Sequence, residues 1–210
     1  MIDRPVSTRV KPRDAATLVL ARGRARDAEV LLGRREPRDR FMPDVYVFPG
    51  GRVDRRDAAQ PVASELRPAV ASRLALTAAN PARARALAVA AVRETFEETG
   101  LLLGDRDEHG IRPALAGLDF VARAITPALN PIRYHARFFL ADGDALEGDL
   151  RSNGELLDLA WVPIPKALEL NIIDVTEFVL QEVASHLDGT TAAGVPLICY
   201  RGESRQIRRQ

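Results

Sequence analysis

The sequence is poor in the residues that build covalent cross-links and zinc sites. Its 210 residues include one cysteine and three histidines. A single cysteine excludes an internal disulfide framework and is typical of a reducing compartment. Cys199 lies in the apolar run 195–200, which predicts a buried structural thiol. His109, His135 and His186 are scattered along the chain, without the spacing of a zinc motif.

Net charge and long apolar runs are lacking as well. Thirty basic residues oppose twenty-nine acidic ones, which leaves a net charge of +1 and no overall attraction for a polyanion such as nucleic acid. No apolar run approaches the roughly 20 residues that a membrane-spanning helix needs. The polar residues 1–14 lack the apolar core of a signal peptide. We therefore expect a cytoplasmic protein that binds neither nucleic acid nor a membrane.

The residues that are present give the composition of an ordinary globular protein. Hydrophobic residues make up 46% of the chain and charged residues 28%. No repeat or linker divides the sequence, so we expect a single domain over residues 1–210 with an inserted helical segment at residues 55–80. Strand-like and helix-like segments alternate along the chain, which predicts the α/β (α+β) class.

Apolar runs between turn residues predict the strands. The expected strands are residues 15–21, 28–32, 120–126, 133–141, 156–162 and 196–200. Helical spacing of apolar residues predicts helices over residues 62–76, near Pro165 and over residues 174–187. Asn80 is a capping residue ahead of a proline, which predicts a further helix that ends at Gly100. The basic tail 201–210 is expected to fray.

Three carboxylates near the end of that helix are the main chemical signal. At about 100° per residue, Glu94, Glu97 and Glu98 share one edge, roughly opposite the apolar Val89 and Val92. Such acids repel one another unless a cation holds them, and Mg²⁺ and Mn²⁺ prefer oxygen ligands. A solvated acidic helix face is the alternative interpretation. However, negative charge in the last turn opposes the helix dipole, which favours a divalent metal site that hydrolyses phosphoanhydride bonds.

Two segments of this sequence resemble the conserved box of the Nudix hydrolases. The family pattern is Gly-x5-Glu-x7-Arg-Glu-U-x-Glu-Glu-x-Gly-U, where U is a bulky aliphatic residue. Residues 93–101 (RETFEETGL) match its second half, with Thr95 at the first U position, and residues 48–51 (FPGG) match the approach to its first half. The resemblance implies an α/β/α sandwich with a mixed sheet. It also implies hydrolysis of nucleoside-diphosphate-linked compounds with Mg²⁺ or Mn²⁺ as cofactor.

The first half of the box departs from the pattern at two points. Asp57 stands where the family has glutamate and is one methylene shorter. The spacer from Ala58 to Val92 has 35 residues instead of seven, so the inserted segment must loop out before the helix begins. Asp57 is therefore a candidate ligand that the insert could hold away from the metal.

The long spacer is itself similar to a branch of the family. Together with residues 41–54 and 126–139, it resembles the branch that contains the peroxisomal coenzyme A diphosphatases. A second branch that cleaves coenzyme A has a stricter motif, whose histidine, glycine and glutamate are replaced here by Met42, Asp44 and Val45. Coenzyme A or an acyl derivative is thus one candidate substrate.

The resemblance also implies roles for individual residues. The implied metal ligands are Glu94, Glu98, Glu97 and the carbonyl of Gly51. Arg93 would orient the carboxylates, and Glu97 would bind a second ion through water if it is not itself a direct ligand. The catalytic base would be Glu94 or a residue of a later loop, for which Glu155 is the first candidate and Glu147 the second. An exposed turn residue is the alternative interpretation of Glu155.

Arginines around the box are candidates for binding the substrate, because guanidinium groups hold phosphate oxygens in pairs. We select Arg34, Arg35 and Arg52 and expect the other arginines to be solvated. The expected partner is a small nucleotide-type molecule, and a homodimer is an expected state because many relatives are dimers. The competing hypothesis is a catalytically inactive Nudix-fold module for ligand sensing or protein interaction. Such modules usually lack acidic positions of the box, and here all three glutamates are present.

Overall fold

The computed structural model describes residues 10–24, 27–38, 42–77, 80–202 and 204–209; Phe41, the first residue of one segment quoted above, lies outside these ranges. The strands are β1 (Arg13–Arg22), β2 (Glu29–Arg35), β3 (Tyr46–Val47), β4 (Gly50–Arg52), β5 (Gly104–Asp107), β6 (Gly110–Pro113), β7 (Asp119–Ile125), β8 (Tyr134–Asp142), β9 (Leu156–Pro163), β10 (Pro196–Arg201) and β11 (Ser204–Arg209). The helices are α1 (Pro68–Ala75), α2 (Pro81–Thr99), α3 (Ile164–Ala167) and α4 (Asp174–Leu187). All six predicted strands are confirmed.

Within the described residues, one large mixed sheet forms the framework. Its order is β11-β10-β7-β8-β1-β2-β3, with β4 added to β1 and β9 added to β2. The central strand β1 runs parallel to β8 and antiparallel to β2 and β4. The strands β5 and β6 form a separate hairpin that the sequence analysis did not predict.

Alternate residues of β1 pack on the two faces of the sheet, as the two-residue period of a strand requires. Leu18 and Leu20 belong to the core that contains α1 and α2. Val19 and Ala21 belong to the core that contains α4. Helices therefore cover both faces of a mixed sheet, which confirms the predicted α/β/α arrangement. No helix in the described ranges is long and apolar enough to cross a membrane.

The helix that carries the carboxylates begins and ends where the sequence predicts. The Asn80 side chain accepts a hydrogen bond from the backbone N–H of Arg83, and Pro81 is the first helical residue. Gly100 follows the last helical residue with a left-handed φ of 73°, and its N–H donates to the Phe96 carbonyl. Both ends of α2 are thus satisfied by local chemistry.

The segment between β4 and α2 is less helical than predicted. A short 3-10 turn spans Arg55–Ala58, and α1 begins only at Pro68, so the expectation of a helix over residues 62–76 is wrong for its first turn and a half. Ser64 forms a backbone bridge to Ala114 instead, and residues 65–67 have no regular secondary structure. The tail is also different: residues 204–209 form β11 on the edge of β10 and are not frayed.

Candidate functional site

The glycine turn before the 3-10 segment lies against two of the acidic residues of α2. The backbone N–H of Gly50 donates to Oε2 of Glu98 at 2.8 Å. A Cβ atom on Gly51 would overlap the carboxylate of Glu94, so only glycine permits this approach. The side chain of Glu94 is 17% exposed and Glu98 is buried. Glu94 and Glu98 therefore lie beside the glycine turn, although they are more than 40 residues away from it in the sequence.

Asp57 pairs with the arginine of the helix. Nε of Arg93 donates to Oδ1 of Asp57 at 2.8 Å, and the Asp57 side chain is 2% exposed. Nη1 of Arg93 also donates to Oε1 of Glu94 at 2.9 Å, and its Nη2 donates to the Arg52 carbonyl. Burial alone would lower the pKa of Arg93, but Asp57 and Glu94 outweigh it and hold that pKa above its usual value. Arg93 thus joins the 3-10 turn, β4 and the metal-site candidate Glu94.

Glu97 and Thr95 occupy different environments from their neighbours. The carboxylate of Glu97 is 52% exposed and accepts from Nη1 of Arg93 at 3.0 Å. Thr95 is buried, and its hydroxyl donates to the Ala91 carbonyl, which explains how a polar residue fits an apolar position of the family pattern. In the part of the chain that the structure describes, no three acidic, histidine or cysteine side chains are gathered at metal-binding distance.

The electrostatics of the two inner carboxyl groups fit a divalent cation. Burial raises the pKa of Glu98 to about 8; the Gly50 N–H opposes this shift and the charge of Glu94 adds to it. Burial also raises the pKa of Glu94, against the effect of Arg93. A cation would stabilise both negative charges, and the available donors are the oxygen atoms that Mg²⁺ and Mn²⁺ prefer.

These residues line one side of a large cleft of about 1820 Å³. Residues from β4, the 3-10 turn and α2 form this side, among them Gly51, Glu94 and Glu98. The other side consists of the ends of β7, β8 and β10 and the start of α4. A smaller cavity of about 170 Å³ is lined by Arg35, Glu98 and Glu155.

Two of the three arginines that were predicted to bind substrate line the cleft, and the third does not. Arg35 and Arg52 line the cleft. Arg34 is not among the lining residues: its Nη1 donates to Asp44 at 2.6 Å and its Nε to Asp158 at 2.7 Å. Both aspartates have positive φ angles, so Arg34 supports the turn at Asp44 and the irregular part of β9 at Asp158.

The two loop glutamates are also separated. Glu155 lines both the main cleft and the smaller cavity next to Glu98. Glu147 forms a backbone bridge with Leu102 instead, and this bridge fixes the loop that leads to Glu155. Only Glu155 is therefore placed to act in the cleft.

Comparison with solved structures identifies the family. The crystal structure of a Nudix hydrolase from Alicyclobacillus acidocaldarius is similar to this chain, with 31% sequence identity and a TM-score of 0.61. The similarity covers 82% of this chain and 90% of the other. This chain belongs to the Nudix hydrolases. It is accordingly a hydrolase, as the resemblance of residues 93–101 predicted.

More distant Nudix proteins share the fold. A MutT Nudix hydrolase from Burkholderia pseudomallei has 20% identity and a TM-score of 0.51, over 83% of this chain and 99% of the other. A MutT protein from Bacillus halodurans has 16% identity and a TM-score of 0.52, over 93% and 97%. No family model and no curated protein matches the sequence. The 35-residue spacer and Asp57 are departures that would weaken a match to a Nudix sequence pattern.

Several cleft residues of this Nudix hydrolase had no signal in the sequence. They are Asp174, Thr176 and Tyr200. These residues lie in α4 and β10, outside the box, and the sequence around them has only the pattern of an ordinary helix or strand. Their approach to the cleft depends on the strand order, which local patterns do not specify.

Proposed function

We propose that this Nudix hydrolase cleaves a phosphoanhydride bond in nucleoside-diphosphate-linked compounds with the help of Mg²⁺ or Mn²⁺. The observation that carries the proposal is the placement of Glu94 and Glu98 against the Gly50-Gly51 turn, inside a cleft large enough for such a substrate. Retention of both carboxylates, and of Glu97 beside them, also favours an enzyme over an inactive ligand-sensing module.

The proposed metal ligands are Glu94, Glu98 and the carbonyl oxygen of Gly51. A divalent cation bound there supplies positive charge that stabilises the negative charge of the phosphates and of the departing group. Glu97 is proposed as an outer ligand that would contact an ion through water, because its side chain is 52% exposed and is not among the residues that line the cleft.

The chain's own side chains supply the remaining functions. Arg93, held by Asp57, fixes the orientation of Glu94 through a hydrogen bond. Arg35 and Arg52 line the cleft, and we propose that their guanidinium groups bind phosphate oxygens. Glu155 is proposed as the base that accepts a proton from the attacking water, since it lines the cleft near Glu98.

The substrate class can be tested with a panel. ADP-ribose is the first compound to assay, because the Nudix domain of Shewanella oneidensis NrtR, which shares this fold (TM-score 0.50, 12% identity), was solved with ADP-ribose. Coenzyme A and acyl-coenzyme A are included because the long spacer resembles the coenzyme A diphosphatase branch. Dinucleotides, nucleotide sugars and nucleoside triphosphates complete the panel.

The decisive experiment compares Glu98→Gln with the wild-type protein on the best substrate. We expect kcat to fall at least ~100-fold, because loss of a direct metal ligand should exceed the 10–100-fold effects seen for residues behind the ligands. Glu108→Gln is the matched control, since its carboxylate is 86% exposed on the β5–β6 hairpin. Absence of turnover with either metal, or unchanged turnover in Glu98→Gln, would contradict the proposal.

A further inference from the structure

The two sides of the cleft differ in charge. The side formed by β4, the 3-10 turn and α2 contributes several arginines, including Arg52, Arg55 and Arg93. Among the lining residues of the opposite side, from β7, β8, β10 and α4, there is no lysine or arginine, and the one charged residue is Asp174. The lining arginines are therefore concentrated away from the second side, where Arg205 is the cross-strand neighbour of Tyr200 but does not itself line the cleft.

The second side is also remote from the proposed metal ligands. Tyr200 lies on β10, and four strand spacings separate β10 from β4 through β7, β8 and β1. At the usual spacing of 4.7–4.9 Å, this separation is about 19 Å across the sheet. A phosphate bound beside Gly51 does not extend that far, so a different part of the substrate must occupy this end.

Polar groups at this end are arranged around one carboxylate. The hydroxyl of Tyr200 donates to Oδ2 of Asp174 at 2.6 Å. Thr176, also in the first turn of α4, is 4% exposed and lines the cleft, and its hydroxyl makes no hydrogen bond to any other residue that the structure describes. Asp174 lies in the first turn of α4, where its full negative charge exceeds the partial positive charge of about half a unit at a helix N-terminus.

We propose that Asp174, oriented by Tyr200, accepts a hydrogen bond from an N–H or O–H group on the neutral part of the substrate, and that Thr176 provides a second polar contact. This inference rests on the proposed function, since it concerns the group attached to the diphosphate. The matching chemistry is the amine of an adenine base or a ribose hydroxyl. A second phosphate at this end is disfavoured, because it would meet the negative charge of Asp174 where no lysine or arginine of β7, β8, β10 or α4 lines the cleft.

Asp174→Asn tests the proposal, since it preserves shape but removes the charge. We expect the Kd for ADP-ribose, measured by calorimetry without metal, and the KM for its hydrolysis to rise about tenfold or more, with kcat within about twofold of wild type. Tyr200→Phe should change Kd and KM in the same direction by less. Asp188→Asn, at the exposed other end of α4, is the control and should change neither.

Three analogues identify the hydrogen-bond donor. IDP-ribose lacks the base amine. ADP-2′-deoxyribose lacks a hydroxyl group on the terminal ribose, and 2′-deoxyadenosine diphosphate ribose lacks one on the ribose of the adenosine. The wild type should bind one of these about tenfold more weakly than ADP-ribose, and Asp174→Asn should abolish that preference. An unchanged Kd in Asp174→Asn, or no binding of ADP-ribose by the wild type, overturns the inference. Binding without hydrolysis would instead contradict the proposed function alone.

Discussion

Asp57 is a buried ion-pair partner in the structure and not a free metal ligand. The sequence left it as a candidate metal ligand, and in the structure both of its oxygens are engaged by Arg93, at 2.8 and 3.2 Å. Oδ2 also accepts from the Asp54 N–H at 2.6 Å. Removal of one partner of a buried ion pair leaves an uncompensated buried charge, which destabilises the folded protein. Asp57 should therefore contribute to stability as well as to the orientation of Glu94 through Arg93.

Replacement of Asp57 by alanine should therefore destabilise the protein by about 3 kcal/mol, the lower end of the range for breaking a buried pair, since Arg93 keeps Glu94 as a partner. Urea unfolding measures the change. Asp105→Ala is the control: its carboxylate is 56% exposed and lies 3.8 Å from Arg112, so the loss should stay below about 1 kcal/mol. Equal losses in the two variants would show that the buried pair has no special role.

At the scale of the element, α2 depends on the residue that ends it. Gly100 has a φ of 73°, and a Cβ atom there would lie 2.7 Å from Cγ of Arg151 and from the Asp149 carbonyl oxygen. The loop that leads to Glu155 thus packs directly on the C-terminus of the helix that carries Glu94 and Glu98. The end of one element sets the position of a residue from another.

Gly100→Ala should accordingly lose more stability than backbone strain alone explains. Gly189 provides a matched comparison, because its φ is 70° and no described atom lies within 4 Å of its Cβ position. We expect a loss of about 1 kcal/mol for Gly189→Ala and at least ~2 kcal/mol for Gly100→Ala. Midpoints of chemical denaturation give both values. Similar losses would mean that the loop moves aside without cost.

At the scale of the whole molecule, a buried polar cluster connects several elements. Asp14 on β1 pairs with Arg83 on α2 and with Arg137 on β8 at 2.7 Å. Burial lowers the pKa of His135 to about 3, with Arg137 and Arg123 nearby adding to the shift. We propose that the chain is a single domain, since this cluster and the shared sheet connect its parts.

This proposal predicts one cooperative unfolding transition with a defined pH dependence. Because the pKa of His135 is lower in the folded state than its ordinary 6.5, the unfolded chain binds a proton first as the pH falls. The free energy of unfolding is therefore not reduced by this histidine well above pH 6.5, and below pH 6.5 it declines by about 1.4 kcal/mol per pH unit. His135→Gln should remove about 2 kcal/mol of the loss between pH 6.5 and 5, measured by denaturant titration. Two separated transitions, or an unaltered pH profile in the variant, would contradict it.

Features that depend on local chemistry could be predicted from the order of the residues. The helix from Pro81 to Thr99 was predictable because Asn80 and Gly100 satisfy backbone groups within one turn. The shared edge of Glu94 and Glu98 follows from helical geometry alone. Strands with apolar runs were predictable for the same reason, whereas the short polar hairpin β5–β6 and β11 were not, since they carry no apolar pattern.

Contacts between distant residues follow from the packing of the whole chain and could not be predicted from local patterns. The pairing of Asp57 with Arg93 across the inserted segment, the turning of Arg34 away from the cleft, and the arrival of Tyr200 beside Asp174 all bring together positions that are distant in sequence. Such contacts depend on strand order and on the competition of each charge for partners. Local propensity does not predict these contacts, because they are set by the free energy of the packed molecule as a whole.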